Sequence, residues 1–567
     1  MVRSVSLGSP AAAESRFAFG AAMTIQSANS LSGNAMKTFA IASSILAGLG
    51  LFPAAHAEDA HASMNRPGVE YCPASGKDAK PAEATPVPNL APSVTQHRIA
   101  IDGKSVSYTA TAGTMLIRNQ EHQPVGQIGY IAYTRQDPGS AGAPRPLMFA
   151  FNGGPGSSSL MLHMGLLGPK RVLVADPGSA PPPPYKAVDN AFSMIDKADI
   201  VLIDPMGTGL SRPVCNGKLE EFLTVDADAD SVSRFIARYL SVNNRWASPK
   251  YLLGESYGTV RAAVIANHML GRFAVKFDGV VLLSMATDFQ MVSTGQRSNE
   301  RPLPAFLPGF AAVAWYHHRV AGQPPALEPF LDDVRKFAAG PYSAALAKGD
   351  ALSDEERDAV AAQMHRYIGL SEDYIKTANL RVTEFGFAQE LFRDRRETVS
   401  RLDGRFVGLT LDPLQKGADY DPALAAIVPT YSAVLRDYLY RDLKLAPDQE
   451  YVTENRWVGD HFDLRHQPDG GQYGGDGPGQ SMVNAGDDLA QALVQEPDLR
   501  LLVLAGYFDI GSPFSNAEYM VAHLGVPKAA AARIRIEYYP SGHMMYVHQQ
   551  SLEKLKRDLS AFIDGRS

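Results

Sequence analysis

Gly254-Glu255-Ser256-Tyr257-Gly258 sits directly after the apolar run Tyr251-Leu252-Leu253 and directly before a helix-like stretch from Thr259 to Leu270. A strand, a sharp turn and a helix in that order form the setting of a nucleophile elbow, which constrains the chain to a sheet whose strand ends carry the chemistry. The two glycines are expected to occupy cramped torsions that a residue without Cβ adopts cheaply. The turn lifts the serine hydroxyl to where a base can reach it. The string alone is weak evidence. With 49 glycines in 567 residues, roughly a few tenths of a chance match is expected. The rest of the chain must therefore supply a base, an orienting acid and an oxyanion hole.

The surrounding pattern is that of an α/β chain. Short apolar runs recur at Leu147–Phe151, Ile200–Ile203, Tyr251–Leu253, Val280–Leu283, Leu501–Leu504 and Ile534–Tyr539. Each is followed by a polar or glycine turn, and helical stretches alternate with them, which predicts a sheet covered on both faces. Ahead of them, Val106–Thr111 and Val125–Thr134 alternate and are rich in β-branched residues, as antiparallel strands are. Between about Phe289 and Arg456 the strand signal fades. Ser353-Asp-Glu-Glu356 reads as a capping box for a helix with Val360, Met364, Tyr367 and Ile368 on one face, and a second helix is expected over Ala425–Leu443. This region, 289–456, reads as a helical insertion forming a lid, between core segments 97–288 and 457–567. Residues 468–480, with six glycines, read as a flexible loop. Leu552, Leu555, Leu559, Phe562 and Ile563 predict a final amphipathic helix that ends before Gly565.

The N-terminus reads as export machinery. Met36-Lys37, the apolar stretch Thr38–Leu51 and Ala55-His-Ala57 form a secretory signal with cleavage expected after Ala57. The stretch is shorter than the roughly 20 residues of a spanning helix, so no stable membrane insertion is expected after cleavage. Either Met36 is the initiator or the 1–57 leader is unusually long. Residues 58–96, rich in Ala, Pro and Glu, read as a flexible lead-in, and the mature protein is expected to be secreted or periplasmic. Cys72 and Cys215 are the two cysteines; a bridge and two isolated thiols are equally compatible with them. Net charge is −7 with no basic run, which argues against a nucleic acid partner. Asp226-Ala-Asp-Ala-Asp230 departs from the calcium-loop pattern at Ser231 and Ala237 and reads as acidic residues opening a helix. His317-His318 has no ligand partner at helical spacing. No metal and no cofactor are expected.

A serine hydroxyl needs a base that is itself oriented by an acid, and in sheets of this kind the order is serine, acid, histidine. The strand over Leu499–Ala505 ends in Gly506-Tyr-Phe-Asp509. The strand Ile534–Tyr539 ends in Pro540-Ser-Gly-His543. Both side chains fall just past strand carboxyl ends, on the rim expected for Ser256. The oxyanion hole calls for backbone N–H groups: one from Tyr257, and a second from the glycine turn Asn152-Gly-Gly-Pro-Gly-Ser-Ser158.

Taken together, Asn152-Gly-Gly-Pro-Gly-Ser-Ser, Asp204-Pro-Met-Gly-Thr-Gly-Leu-Ser211, Gly254-Glu-Ser-Tyr-Gly258, Gly506-Tyr-Phe-Asp509 and Gly542-His543-Met544 resemble the serine carboxypeptidase family over about 145–548. The resemblance implies an α/β-hydrolase fold with a helical insertion, and release of single C-terminal residues from peptide substrates under acidic conditions. It implies that Ser256, Asp509 and His543 form the triad, and that the Gly154 and Tyr257 N–H groups form the oxyanion hole. It further implies that Asn152, the Gly153 backbone and Glu255 bind the substrate's terminal carboxylate. A carboxyl beside a bound carboxylate is tolerable when one proton is shared, so Glu255 is expected to act protonated. Three positions depart from the family: Leu166 stands where a second glutamate is common, Ser157 where a half-cystine is common, and Ser512 where a cysteine follows the triad acid. The rival readings are an esterase or acyltransferase on the same fold, and a non-catalytic binding module. Side-chain preference and oligomeric state are not legible.

Overall fold

Continuous apolar strands need cover on both faces, and here five of them, with the half-buried edge strand Ile534–Tyr539, form the parallel part of one sheet. The computed structural model describes residues 71–72, 85–88, 91–136, 144–174, 183–295, 298–468 and 480–565. The 1–57 leader, most of the 58–96 lead-in and residues 469–479 of the glycine-rich stretch lie outside the described residues. The described elements belong to one compact unit, Met64–Ser567.

Three strands, β1 (Ser93–Ile101), β2 (Lys104–Arg118) and β3 (Pro124–Arg135), form an antiparallel ribbon. They are followed by β4 (Leu147–Phe151), β5 (Asp199–Ile203), β6 (Lys250–Glu255), β7 (Gly279–Leu283), β8 (Arg500–Gly506) and β9 (Ile534–Tyr539). The order across the sheet is β1-β2-β3-β5-β4-β6-β7-β8-β9. From β5 onward all pairings are parallel. The antiparallel entry, the exchanged positions of β4 and β5, and the parallel run after them make this the α/β-hydrolase fold. β1 begins at Ser93, ahead of residue 97 where alternation becomes legible, because an exposed Val94 between the half-buried polar residues Ser93 and Thr95 gives its start no apolar-in, polar-out pattern.

Alternation along β7 divides the core. Val281 and Leu283 pack with Leu552, Leu555 and Leu559 of the last helix, Gln549–Ile563. Val280 and Leu282 pack on the other face, against α1 (Val225–Val242) and α2 (Tyr257–Phe273). Each such side chain contributes about 1.5–3 kcal/mol.

The segment between Phe289 and Arg456 is mostly helical. It includes Pro302–Tyr316, Leu327–Phe337, Asp354–Ile368 and Pro422–Arg441. The capping box forms: Ser353 Oγ accepts from Glu356 N–H and Glu356 Oε2 from Ser353 N–H, each at 3.2 Å. The apolar core of this segment (Phe306, Phe310, Met364, Ile368, Phe387) is shared with Tyr507, Phe508 and Ile510, the turn that follows β8. One hairpin, Glu397–Val399 with Val407–Leu409, interrupts the helices. Its strands of three residues each are too short to show a period in sequence. Cys72 and Cys215 form a disulfide, tying the segment ahead of β1 to the loop before α1.

Candidate active site

The strain of the elbow falls on the serine. Ser256 has φ 61° and ψ −129°, a region that costs a non-glycine residue about 1–3 kcal/mol. This corrects the expectation that the glycines carry the cramped torsions. Neither Gly254 nor Gly258 has a positive φ; they are required by close approach. A Cβ on Gly254 would stand 2.0 Å from Gly258 O, and one on Gly258 would stand 2.8 Å from Phe151 O. Ser256 is the one residue of the pentapeptide that is not fully buried.

Asp509 and His543 are joined. His543 Nδ1 lies 2.7 Å from Asp509 Oδ2, whose other oxygen accepts the N–H groups of Gly511 and Ser512 at 2.8 and 2.9 Å. Ser512 Oγ donates to Asp509 Oδ2 at 2.8 Å and lies 3.0 Å from His543 Nδ1. Burial works against Asp509's charge. His543's positive charge and hydrogen bond, with the Ser512 donors, nonetheless hold its pKa below the ordinary carboxylate value. Burial likewise pulls His543 down, while Asp509 and then the charge of Glu255 carry it above the usual histidine value. Ser256 reaches this pair through the end of β7 and Ser284. Its N–H donates to Leu283 O at 3.0 Å, and Ser284 Oγ donates to His543 O at 2.7 Å. Among the described residues the Ser256 hydroxyl itself makes no hydrogen bond. Catalytic contacts of this kind commonly tighten only around substrate.

The turns holding Asp509 and His543 are clamped by the mostly helical segment between Phe289 and Arg456. The hairpin loop, residues 400–406, accepts Ile510 N–H at Arg401 O (3.0 Å) and His543 N–H at Leu402 O (2.7 Å), and donates Gly404 N–H to Phe508 O (2.8 Å). No local sequence signal marks this loop.

On the other side of the serine, Asn152 and Gly153 follow β4. A Cβ on Gly153 would stand 2.4 Å from Tyr257 N, so the glycine turn lies against the elbow. Gly154, at φ 101°, donates its N–H to no backbone acceptor among the described residues. Tyr257 opens α2, where an N–H has no intrahelical acceptor. Glu255 is buried, 3% exposed. Tyr546 OH donates to its Oε2 at 2.9 Å and lies 3.2 Å from Oε1. Desolvation pushes the Glu255 pKa up to about 7, against the pull of His543's charge and the Tyr546 bond. Leu166 is fully buried in the core.

Two further groups escape local sequence reading. Asp228, in the acidic triplet that reads as helix-opening charge, is buried and paired with Arg261 Nε at 2.7 Å, the side chains 4% and 1% exposed. Arg261 Nη1 in turn donates to Asn152 O at 2.7 Å. Ser157, at the half-cystine position, donates to Glu454 Oε2 at 2.9 Å. Beside it Asn455 N–H donates to Gly156 O at 2.8 Å, so polar contacts hold the glycine turn where a disulfide is common in the family.

The serine carboxypeptidase family model matches residues 128–288. The match contains Asn152, the glycine turn and the serine elbow; Asp509 and His543 lie beyond it. The search of curated proteins found no match. Among solved structures, a proline iminopeptidase from Mycobacterium smegmatis is 13% identical, covering 80% of this chain and 98% of that one with a TM-score of 0.32. An N-acyl homoserine lactone-degrading enzyme is 13% identical, covering 82% and 100% with a TM-score of 0.33. The peroxisomal α/β-hydrolase Lpx1 from Saccharomyces cerevisiae is 10% identical, covering 84% and 90% with a TM-score of 0.34. At these values the three decide neither activity nor substrate. The chain is a serine hydrolase of the α/β-hydrolase type.

Proposed function

We propose that this protein is a serine carboxypeptidase that releases C-terminal residues from peptides through an acyl-enzyme. The observation that carries the reading is Glu255: a buried carboxyl immediately before the nucleophile, with its pKa raised to about 7, facing Asn152. A general esterase has no need of a protonated acid at that position. A carboxypeptidase needs a group that accepts a free carboxylate and rejects its amide.

Ser256 Oγ attacks the last peptide carbonyl while His543 Nε2 takes its proton. Asp509, hydrogen-bonded at Nδ1, fixes the tautomer and favours the imidazolium. The N–H groups of Gly154 and Tyr257 receive the oxyanion. His543 then protonates the leaving amine, the amino acid departs, and water repeats the sequence on the acyl-serine. Asn152, the Gly153 N–H and protonated Glu255 hold the terminal carboxylate, the last by a shared proton. Secretion or residence in a periplasm fits the Cys72–Cys215 bridge, since disulfides persist in oxidising compartments.

The second reading, an esterase or acyltransferase, is favoured by one observation, the apolar Leu166 where a second carboxyl is common in the family. Three substrates sharing one acyl group separate the readings: a blocked dipeptide acid, its amide and a simple ester. The carboxypeptidase reading expects kcat/KM for the acid to exceed that for the amide by about 100-fold or more, the scale on which leaving a charged hydrogen-bonding site unpaired discriminates. Cleavage of the ester with neither peptide hydrolysed would favour the second reading.

A further inference from the structure

The hairpin loop that clamps the turns of Asp509 and His543 also carries a cation, Arg401. Arg401 is fixed in its main chain: its N–H donates to Asp421 Oδ2 at 2.9 Å, and its carbonyl accepts from Ile510. Its guanidinium makes no hydrogen bond and no ion pair among the described residues. It lies over the ring of Phe385, 5.4 Å from its centre, and Phe385 is 50% exposed. Asp421, the carboxylate that holds Arg401 N–H, is already committed. It also accepts from Ser400 Oγ and from the N–H groups of Leu402, Ala423 and Leu424. Arg401 is half-buried, so the guanidinium has lost part of its hydration without gaining an anion, which is uncommon for a group with five donors.

Its position relative to the nucleophile is set by the sheet. A methyl group on Gly511 would stand 3.0 Å from Arg401 Nη1 and 3.3 Å from Asp509 Oδ1. The guanidinium therefore lies beside the turn of the triad acid, and its charge opposes protonation of His543. In the strand order, β4, which leads to Asn152, lies on one side of β6 and its serine; β7 and then β8, which leads to Gly511, lie on the other. Neighbouring strands are about 4.8 Å apart. Asn152 and Arg401 thus flank Ser256 from opposite sides. A peptide with its terminal carboxylate at Asn152 and its scissile carbonyl at Ser256 runs toward Arg401 with the residue before the cleaved bond.

We propose that Arg401 binds an acidic side chain on the acyl side of the cleaved bond, making peptides with Glu or Asp as the penultimate residue the preferred substrate class. This rests on the carboxypeptidase reading above. Phe385 supplies an apolar surface for the methylene groups of that side chain, and the guanidinium fork a paired hydrogen bond to its carboxylate.

The test compares kcat/KM for two blocked dipeptide acids with the same C-terminal residue, one with Glu and one with Gln before it, at about pH 6 where the Glu side chain is ionised. The wild type is expected to favour Glu by about tenfold, the scale of a charge-assisted bond at a partly buried site. Arg401→Gln should bring the ratio to about one, and Arg401→Glu should push it below one. Labelling of Ser256 by a fluorophosphonate in each variant reports that the triad has formed. A wild-type ratio of one or less, or a ratio unchanged in a labelled Arg401→Gln, overturns this proposal while leaving the carboxypeptidase reading intact. Failure to cleave either dipeptide while an ester is cleaved overturns that reading, and this assignment with it.

Discussion

The two flanks of Ser256 are built differently. On the Asn152 flank the charged side chains nearest the serine are buried and paired or hydrogen-bonded. Arg261 holds the Asn152 carbonyl and is itself neutralised by Asp228, and Tyr546 holds Glu255. All of these groups belong to the sheet's own strand ends and helices. On the Gly511 flank the backbone is just as firmly held, by the loop 400–406, but the side chains facing outward from it, Arg401 and Phe385, belong to the insertion and are left open. On the proposed reading, the difference matches what each flank would recognise. A terminal carboxylate, the same in every peptide, would suit a rigid, prepaired pocket. The variable residue before the cleaved bond would meet side chains that can be exchanged without disturbing the Asp509 and His543 turns.

The sharpest way to break the comparison is to remove the brace under Asn152. Arg261→Met leaves Asp228 buried and unpaired, a class of change that costs about 3–5 kcal/mol. A thermal or denaturant unfolding series should show a large loss of stability. In the fraction that folds, discrimination between dipeptide acid and amide should fall while the Glu-over-Gln ratio at Arg401 persists. Equal loss of both selectivities would mean that the flanks are one unit.

A smaller effect is expected at the triad itself. Ser512→Ala removes the hydroxyl that Asp509 and His543 share. With the Ser512 N–H still bound to Asp509, kcat should fall about tenfold, in the range of one hydrogen bond near the reacting groups. Both selectivities should hold. An unchanged kcat would reduce Ser512 to a packing residue, and a changed acid-to-amide ratio would connect it to the wrong flank.

What the sequence discloses about this site follows from the range of the interactions. The elbow, the glycine turn and the strands that end near Asp509 and His543 are local patterns, so strand–turn–helix periodicity is enough to find them. The supporting groups are not local. Tyr546 and Glu255 are 291 positions apart, Arg261 and Asn152 are 109 apart, and Cys72 and Cys215 are 143 apart. Nothing in the neighbourhood of Asp228 distinguishes a buried ion pair from ordinary helix-opening charge. Arg401 lies in a hairpin whose strands are too short to announce themselves, so its approach to Gly511 emerges only once β8 and the insertion pack together. Even within the elbow, the glycines were legible as a requirement but not their reason, because close approach to Phe151 depends on a neighbouring strand.

Glu255 is the group on which the substrate assignment turns. Its carboxyl, pushed up to about 7 by burial, is protonated below that pH and charged above it. On the proposed reading, a protonated Glu255 would share its proton with the substrate carboxylate, whereas a charged one would repel it. Hydrolysis should therefore be favoured on the acid side of about pH 7 and lost above it. Protonating Glu255 also removes a charge that raises the His543 pKa, so the base is freed in the same protonation state that binds substrate. The direct measurement is kcat/KM for a blocked dipeptide acid from pH 4 to 8 in the wild type and in Glu255→Gln. The account predicts a wild-type profile that falls above about pH 7 and a variant profile without that descending limb. A wild-type profile flat to pH 8, or the same descending limb in Glu255→Gln, would contradict it.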